Sequence, residues 1–411
     1  MSKQSYLEKL LDGEEVEWRT VEELFHLKNG YTPSKSKKEF WEGGLIPWFR
    51  MDDIRCNGKI LDNSLQYITE EALKGGKLFA ANSMIFATSA TIGEHALITV
   101  PYLANQRFTN LTIKEKYIEI VDIKYLYYYG FLLADWCKQN TTMSSFASVD
   151  MGGLRKFKIP IPCPSNSKKS LAIQGEIVRI LDAFTSLTAE LTAELNMRKK
   201  QYNYYRNKLL TFEDDQGVEW LTLEQIAQYS KTRISHDELD KTNYVGVDNL
   251  LQNRTGKEES SHVPTSGNLT EYHQGDVLIG NIRPYLKKIW CADRFGGTNG
   301  DVLVIHITDK RVNSRYLYQV LADDKFFEYN MQHAKGAKMP RGNKLKIMEY
   351  SIPLPKNEAE QTRIVSILDK FDALTNSISE GLPREISLRQ KQYEYYRDQL
   401  LNFPKPAEVS A

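Results

Sequence analysis

Thr188-Ala189-Glu190-Leu191 is followed at once by Thr192-Ala193-Glu194-Leu195, and this doublet sits in the middle of a stretch running from Ile173 to Leu210. Apolar or bulky residues fall at Ile173, Ile177, Ile180, Phe184, Leu187, Leu191, Leu195, Arg198, Tyr202, Tyr205 and Leu209. Steps of four and three alternate, which is the seam of a long helix packed on another helix. The alternation breaks once, from Leu191 to Leu195, where the TAEL unit is doubled. Four added residues advance a helix by about 400° and roughly 6 Å, so the rod lengthens while nearly the same face is kept. The stretch reads as a ruler whose length can change without refolding.

Working outward, the helix has a twin. Gln174, Ile177-Val178, Ile180-Leu181-Asp182 and Phe184 match Gln361, Ile364-Val365, Ile367-Leu368-Asp369 and Phe371. Its far end, Gln201-Tyr202-Asn203-Tyr204-Tyr205-Arg206, matches Gln392-Tyr393-Glu394-Tyr395-Tyr396-Arg397. Ile159-Pro160-Ile161-Pro162 recurs as Ile352-Pro353-Leu354-Pro355, and Val16-Glu17-Trp18 as Val218-Glu219-Trp220, a shift of 202 positions (220 minus 18). The chain is a tandem duplication. Asp182 to Tyr202 spans 20 positions and Asp369 to Tyr393 spans 24, so the second copy carries one more four-residue unit. That unit lies around Gly381-Leu382-Pro383, where the helix should kink or break. A third echo, Tyr6-Leu7-Glu8-Lys9-Leu10-Leu11, resembles Tyr205 to Leu210 and also Tyr396 to Leu401, as in a circular permutation about a two-fold axis.

The stretches between the repeats hardly resemble each other. The first, about residues 19 to 158, predicts strands at Ser83–Ala87 and Ala96–Val100 and a helix over Ile123–Cys137. The second, about 221 to 350, predicts strands at Asp276–Ile279 and Asp301–His306 and helix near Ser314–Phe327. Asn105 before Leu111-Thr112-Ile113 corresponds to Asn299 before Leu303-Val304-Ile305, so one scaffold carries two surfaces.

At 411 residues the chain has room for two or three domains, and 41% hydrophobic and 26% charged residues are globular values. No apolar run reaches the length of a membrane span. Without a signal peptide, the start of the chain points to the cytoplasm. Cys56, Cys137, Cys163 and Cys291 are far apart and read as buried free thiols. The net charge of +1 leaves open a local nucleic-acid footprint. Walker loops, His-Glu-x-x-His and adenine-methyltransferase motifs are all missing, and the seven histidines show no ligand spacing, so neither catalysis nor a metal site is expected.

Two divergent domains alternating with two repeated helices, together with the TAEL doublet at Thr188, Ala189, Glu190, Leu191, Thr192, Ala193, Glu194 and Leu195, closely resemble the specificity subunit of type I restriction-modification enzymes. The doublet resembles the subgroup in which the number of such repeats sets the gap between half-sites, one or two base pairs per repeat. The resemblance implies an α+β fold: two mixed α/β target recognition domains separated by two long antiparallel, coiled-coil helices with a pseudo-two-fold internal repeat. Its divisions would be an N-terminal segment at 1–15, a first recognition domain at 16–158, a central spacer at 159–215, a second recognition domain at 216–350 and a C-terminal spacer at 351–411. It implies a non-catalytic subunit reading a bipartite, asymmetric target in double-stranded DNA. Two modification subunits and two restriction subunits would dock on it. S-adenosylmethionine, ATP and magnesium would belong to those partners rather than to this chain. A coiled-coil adaptor with protein-binding domains is the competing reading, and an enzyme in its own right is the third.

DNA reading needs cations for phosphate and side chains that reach base edges. In the first domain Lys28, Ser34, Lys35, Lys37 and Lys38 surround the Tyr31-Thr32-Pro33 turn, with Trp48 and Arg50 following; an ordinary solvated loop reads the same way. In the second, Asn281, Arg283, Tyr285, Lys287 and Lys288 lie just beyond a strand, the alternative being a core tyrosine among solvated lysines. The run from Gln332 to Met348 carries Lys335, Lys338, Arg341, Lys344 and Lys346 without an acid, and its glycines at 336 and 342 read as loop flexibility. Its counterpart, Thr141 to Gly153, is rich in Ser, Thr and Gly and has no basic residue, Asp150 being its one charge. Arg198, Lys199, Lys200, Arg206 and Lys208 suit spacer phosphates, a docking face or plain solvation, and Tyr202, Tyr204 and Tyr205 read as packing.

Overall fold

A computed structural model describes residues 5–143, 147–213, 217–377 and 379–405. The doublet lies inside one unbroken helix, Ser167–Leu209, of 43 residues. Leu187, Leu191 and Leu195 are half-buried while Ala189, Glu190 and Ala193 face out, so the seam continues through the doublet. Thr192 Oγ1 donates to the Thr188 carbonyl at 2.7 Å, one turn back. The twin is two helices, Glu358–Asn376 and Gly381–Leu401, interrupted at the extra unit. Gly381 has φ +74, and a Cβ there would lie 2.4 Å from the Ala373 carbonyl oxygen, so only glycine fits the break. No helix among the described residues is long and apolar enough to cross a membrane.

Two compact units emerge. One joins Met1–Ser186 to Gln390–Ala411, and the other is Leu187–Arg389. The first has a five-stranded sheet in the order Phe25–Asn29, Phe108–Ile113, Ser83–Ala87, His95–Ile98, Ile60–Leu61, with the last pair parallel. A small three-stranded sheet sits beside it. The second unit has a four-stranded sheet, Ala227–Tyr229, Val302–Ile307, Val277–Gly280, Ile289–Cys291, and a three-stranded one. The corresponding Asn105 and Asn299 each form an Asx turn, their side chains accepting from the amides of Arg107 and Asp301 at 3.0 and 3.1 Å.

Equivalent polar locks recur in the two units. Each Ile-Pro-x-Pro strand pairs antiparallel with the matching Val-Glu-Trp strand, Trp18 opposite Pro160 and Trp220 opposite Pro353. Such two-stranded pairs are where proline is tolerated in a sheet. Tyr125 and Tyr316 donate to the Pro160 and Pro353 carbonyls. The buried Gln174 accepts from the Asp122 amide at 2.8 Å and donates to the Ile120 carbonyl, and Gln361 does the same with Asn313 and Arg311. Phe184 stacks on Tyr396 at 5.3 Å, as Phe371 does on Tyr205 at 5.5 Å.

Three expectations change. Tyr6–Leu11 is a separate capped helix in the first unit, whereas Leu400, Leu401 and Phe403 supply that core with the helix end that Leu209, Leu210 and Phe212 supply in the second. Ser314–Phe327 is two helices, Ser314–Leu321 and Asp324–Gln332, with Asp323 capping the second. Cys56 is exposed; only the other three thiols are buried.

Arg206 is the most demanding of these repeats. It is 2% exposed, lies 4.2 Å over the Tyr202 ring, and donates to the Ala322 carbonyl at 3.1 Å and Gln319 Oε1 at 3.0 Å. Its counterpart Arg397 is half-buried and pairs with Asp398 at 2.8 Å. Truncating Arg206 strips partners from a buried network, which typically costs about 3 kcal/mol. Arg206→Ala should lower stability by that order in urea unfolding, and Arg397→Ala by less.

Candidate nucleic-acid interface

The two basic clusters of the second unit meet. Past the strand Val277–Gly280 the chain turns through Arg283, which is left-handed at φ 52. Ile282 bridges Arg341, the Arg283 amide donates to the Pro340 carbonyl at 2.7 Å, and the Gly342 amide donates to the Asn281 carbonyl at 3.1 Å. Lys335 and Arg341 exchange backbone hydrogen bonds at 2.9 and 2.8 Å. The segment is therefore a closed hairpin rather than a slack loop. Gly342 serves close packing instead of flexibility, since a Cβ there would lie 2.4 Å from Asn330 Oδ1 and 2.7 Å from Asn281 Oδ1. Arg283, Tyr285, Lys335, Lys338, Arg341 and Lys344 are all exposed. Arg341 also pairs with Asp301 at 2.6 Å, an acid the sequence reading missed.

Three residues of this cluster face inward. Asn281 is 4% exposed and its Oδ1 has no hydrogen-bond partner. Lys287 donates to Asp324 at 2.6 Å, where Arg254 also pairs at 3.0 Å. Burial alone would raise the Asp324 pKa, yet these two cations hold it below its ordinary value. Lys288 reaches the Val247 carbonyl at 2.7 Å, and burial lowers its pKa. These lysines fasten the turn to its own unit and do not face outward as the sequence reading has them.

In the first unit Lys28, Ser34, Lys35, Lys37 and Lys38 are exposed. Lys37 lies 4.9 Å from the Phe40 ring centre, and Lys28 lies 5.9 Å from that of Phe79. Ser34 Oγ is 2.8 Å from Ser36 Oγ, and its carbonyl accepts from the Trp41 indole. Trp48 is a core residue, 2% exposed, and its indole N–H donates to the Tyr31 carbonyl at 3.0 Å; it shapes the loop from beneath. Half-buried Arg50 precedes the helix Met51–Asn57 and pairs with Asp52 at 3.6 Å. Lys74, whose signal was Lys74-Gly75-Gly76-Lys77, joins this surface through the Tyr31 ring at 4.8 Å. In the run Thr141 to Gly153, which has no basic residue, residues 144–146 lie outside the described residues.

On the long helix, Tyr202 and Tyr205 stack on Phe371, while Tyr204 and its counterpart Tyr395 are 60% and 61% exposed. Arg198 pairs with Glu194 at 2.7 Å, so part of the basic stretch is satisfied within the helix. Among the described residues, ligand-type side chains converge once, at His273, Asp276 and His306, within 4.8 Å of one another. One Asp276 oxygen lies 2.7 Å from His306 Nδ1 and the other accepts from the His273 amide at 2.8 Å, which makes the group a clamp on its turn.

A family model described as the type I restriction modification DNA specificity domain matches residues 13–198 and again 217–388. The specificity subunit of the type I restriction enzyme EcoprrI of Escherichia coli is 47% identical over 399 residues, covering 92% of this chain and 93% of that protein. The EcoR124I/EcoR124II specificity subunit, also of Escherichia coli, is 35% identical over 448 residues and covers all of both chains. The crystal structure of the type I restriction-modification S subunit from M. genitalium superposes with a TM-score of 0.57 at 14% identity, covering 96% of this chain and 98% of that one, a likeness of fold.

Each phosphate contact contributes about −0.9 to the slope of log affinity against log salt. Lys335→Ala/Lys338→Ala/Arg341→Ala should therefore weaken DNA binding and flatten that slope by about two phosphate equivalents, one for each lysine, in a salt titration. Lys287→Ala/Lys288→Ala should lower the melting temperature and leave the slope unchanged.

Proposed function

The chain belongs to the family of type I restriction-modification DNA specificity subunits, and from that premise we propose that its two units read the two halves of a split, asymmetric target. It is the DNA sequence-recognising, non-catalytic component, and the enzymatic activities reside in methyltransferase and restriction subunits with which it assembles. The adaptor and stand-alone-enzyme readings are set aside by that membership. The observation carrying the split target is the double match, at 13–198 and at 217–388, on two units whose locks repeat while their surface loops differ. Differing loops on one scaffold suit two different half-sites.

The finer reading follows from the helices. Two equivalent sets of helix ends suit two modification subunits, with two restriction subunits joining the complex. S-adenosylmethionine, ATP and magnesium belong to those partners, and the assembly works in the cytoplasm. The partners flip and methylate one adenine in each half-site. The Thr188–Leu195 doublet supports a short-spacer form of the subgroup whose repeat number sets the gap. In the second unit, Arg283 and Arg341 are suited to guanine edges, and Lys335, Lys338 and Lys344 to phosphate. In the first, Lys28, Lys35, Lys37 and Lys38 supply positive charge.

Methylated adenines mapped in DNA exposed to this chain, its modification subunit and S-adenosylmethionine should fall in two unlike half-sites around an unread gap. A continuous motif, or no methylation by a complex that assembles, contradicts the reading.

A further inference from the structure

The hairpin and turn that gather the basic residues of the second unit have a counterpart in the first. There the strand Ser83–Ala87 runs on into Thr88, whose carbonyl accepts from the Val149 amide at 3.0 Å, as Asn281 accepts from Gly342 at 3.1 Å. Ser89 bridges Ser148, as Ile282 bridges Arg341. The next residue is left-handed in both, Ala90 at φ 64 and Arg283 at φ 52. Both hairpins then lead into a capped helix, by Asp150 before Met151–Lys156 and by Asn343 before Lys344–Met348. Register alone therefore puts Ala90 in the place of Arg283, Ser148 in that of Arg341, and Thr142, opposite Ser148, in that of Lys335.

Two further observations mark this edge of the first unit. A groove of about 530 Å³ runs beside it, lined by Ala90 and Thr91 with Met51, Ile54, Arg55 and Lys59. Thr91 Oγ1 has no hydrogen-bond partner, as Asn281 Oδ1 has none in the equivalent turn of the second unit. Asn281 Oδ1 faces inward beside Gly342, whereas Thr91 lines the groove, where native structures seldom leave a polar atom unpaired.

Resting on the split-target reading above, we infer that the first unit reads its half-site with Ser89, Ala90, Thr142 and Ser148, and not with the lysine loop at 34–38. The chemistry differs from that of the second unit. A methyl such as that of Ala90 packs against the C5-methyl of thymine, while serine and threonine hydroxyls donate to or accept from either base type. Arg55 beside the turn supplies charge for the backbone, while Lys59 pairs with Glu94 of the same groove at 3.2 Å, and the lysine loop adds affinity without choosing bases.

Ala90→Gly is the sharpest probe, because glycine accepts the left-handed conformation and the substitution removes only the methyl. With the full chain, its modification subunit and a library of targets, Ala90→Gly and Ser148→Ala should each relax preference at one base of the first half-site, roughly tenfold. The second half-site and the gap should stay as they are. Arg283→Ala should alter only the second half-site, and Lys35→Ser/Lys37→Ser/Lys38→Ser should weaken binding with both half-sites unchanged. The assignment is overturned if Ala90→Gly and Ser148→Ala leave the first half-site intact, or if the lysine variant changes its bases. A wild-type motif that is not split overturns the underlying reading, and this assignment with it.

Discussion

Each unit closes its core with the end of a helix that begins in the other. The first unit buries Leu400 and Leu401 from the helix Gly381–Leu401 with Phe403 just beyond it, and the second buries Tyr202 and Arg206 from Ser167–Leu209 with Leu210 just beyond it. Removing such an end would expose several large apolar groups, each of which contributes about 1.5–3 kcal/mol when buried. The helices are therefore part of both folds as well as a connection between them. Locks built on Gln174 and Gln361, and stacks built on Phe184 and Phe371, fix the rotation of each helix in its socket. Between the sockets the seam is only half-buried, which is why residues there can be added in fours while the cores stay as they are.

Features that depend on local pattern were legible in the sequence. The four-three periodicity gave the long helix, short continuous apolar runs gave the strands around Ile85, Leu278 and Val304, and the glycine and proline near 381 gave the break. What depends on partners far along the chain was not legible. Lys287 and Lys288 look like surface cations until Asp324 and the Val247 carbonyl come alongside, and Trp48 looks like a recognition residue until its N–H meets the Tyr31 carbonyl. Gly342 suggests slackness for the same reason. Composition records that a residue lacks a side chain, but not that Asn281 and Asn330 fill the space.

The repeat also shows how one scaffold comes to present two chemistries. Backbone hydrogen bonds hold the turn and hairpin in both units, with Thr142 Oγ1 also donating to the Ser148 carbonyl at 3.3 Å and lying 3.0 Å from Ser148 Oγ in the first. Arginine, lysine, alanine, serine or threonine can occupy those positions without disturbing the sheet below. A sequence search for basic runs finds only the charged version, and its uncharged equivalent becomes visible only once the register is known.

By this reasoning the number of residues between the two anchored helix ends would set the gap between half-sites. Inserting a third Thr-Ala-Glu-Leu after Leu195 and mapping the methylated motif tests it most directly. One unit adds roughly 6 Å of helix against about 3.4 Å per base pair. The account predicts a gap one or two base pairs longer with both half-sites unchanged, and an unchanged gap or altered half-site bases would contradict it.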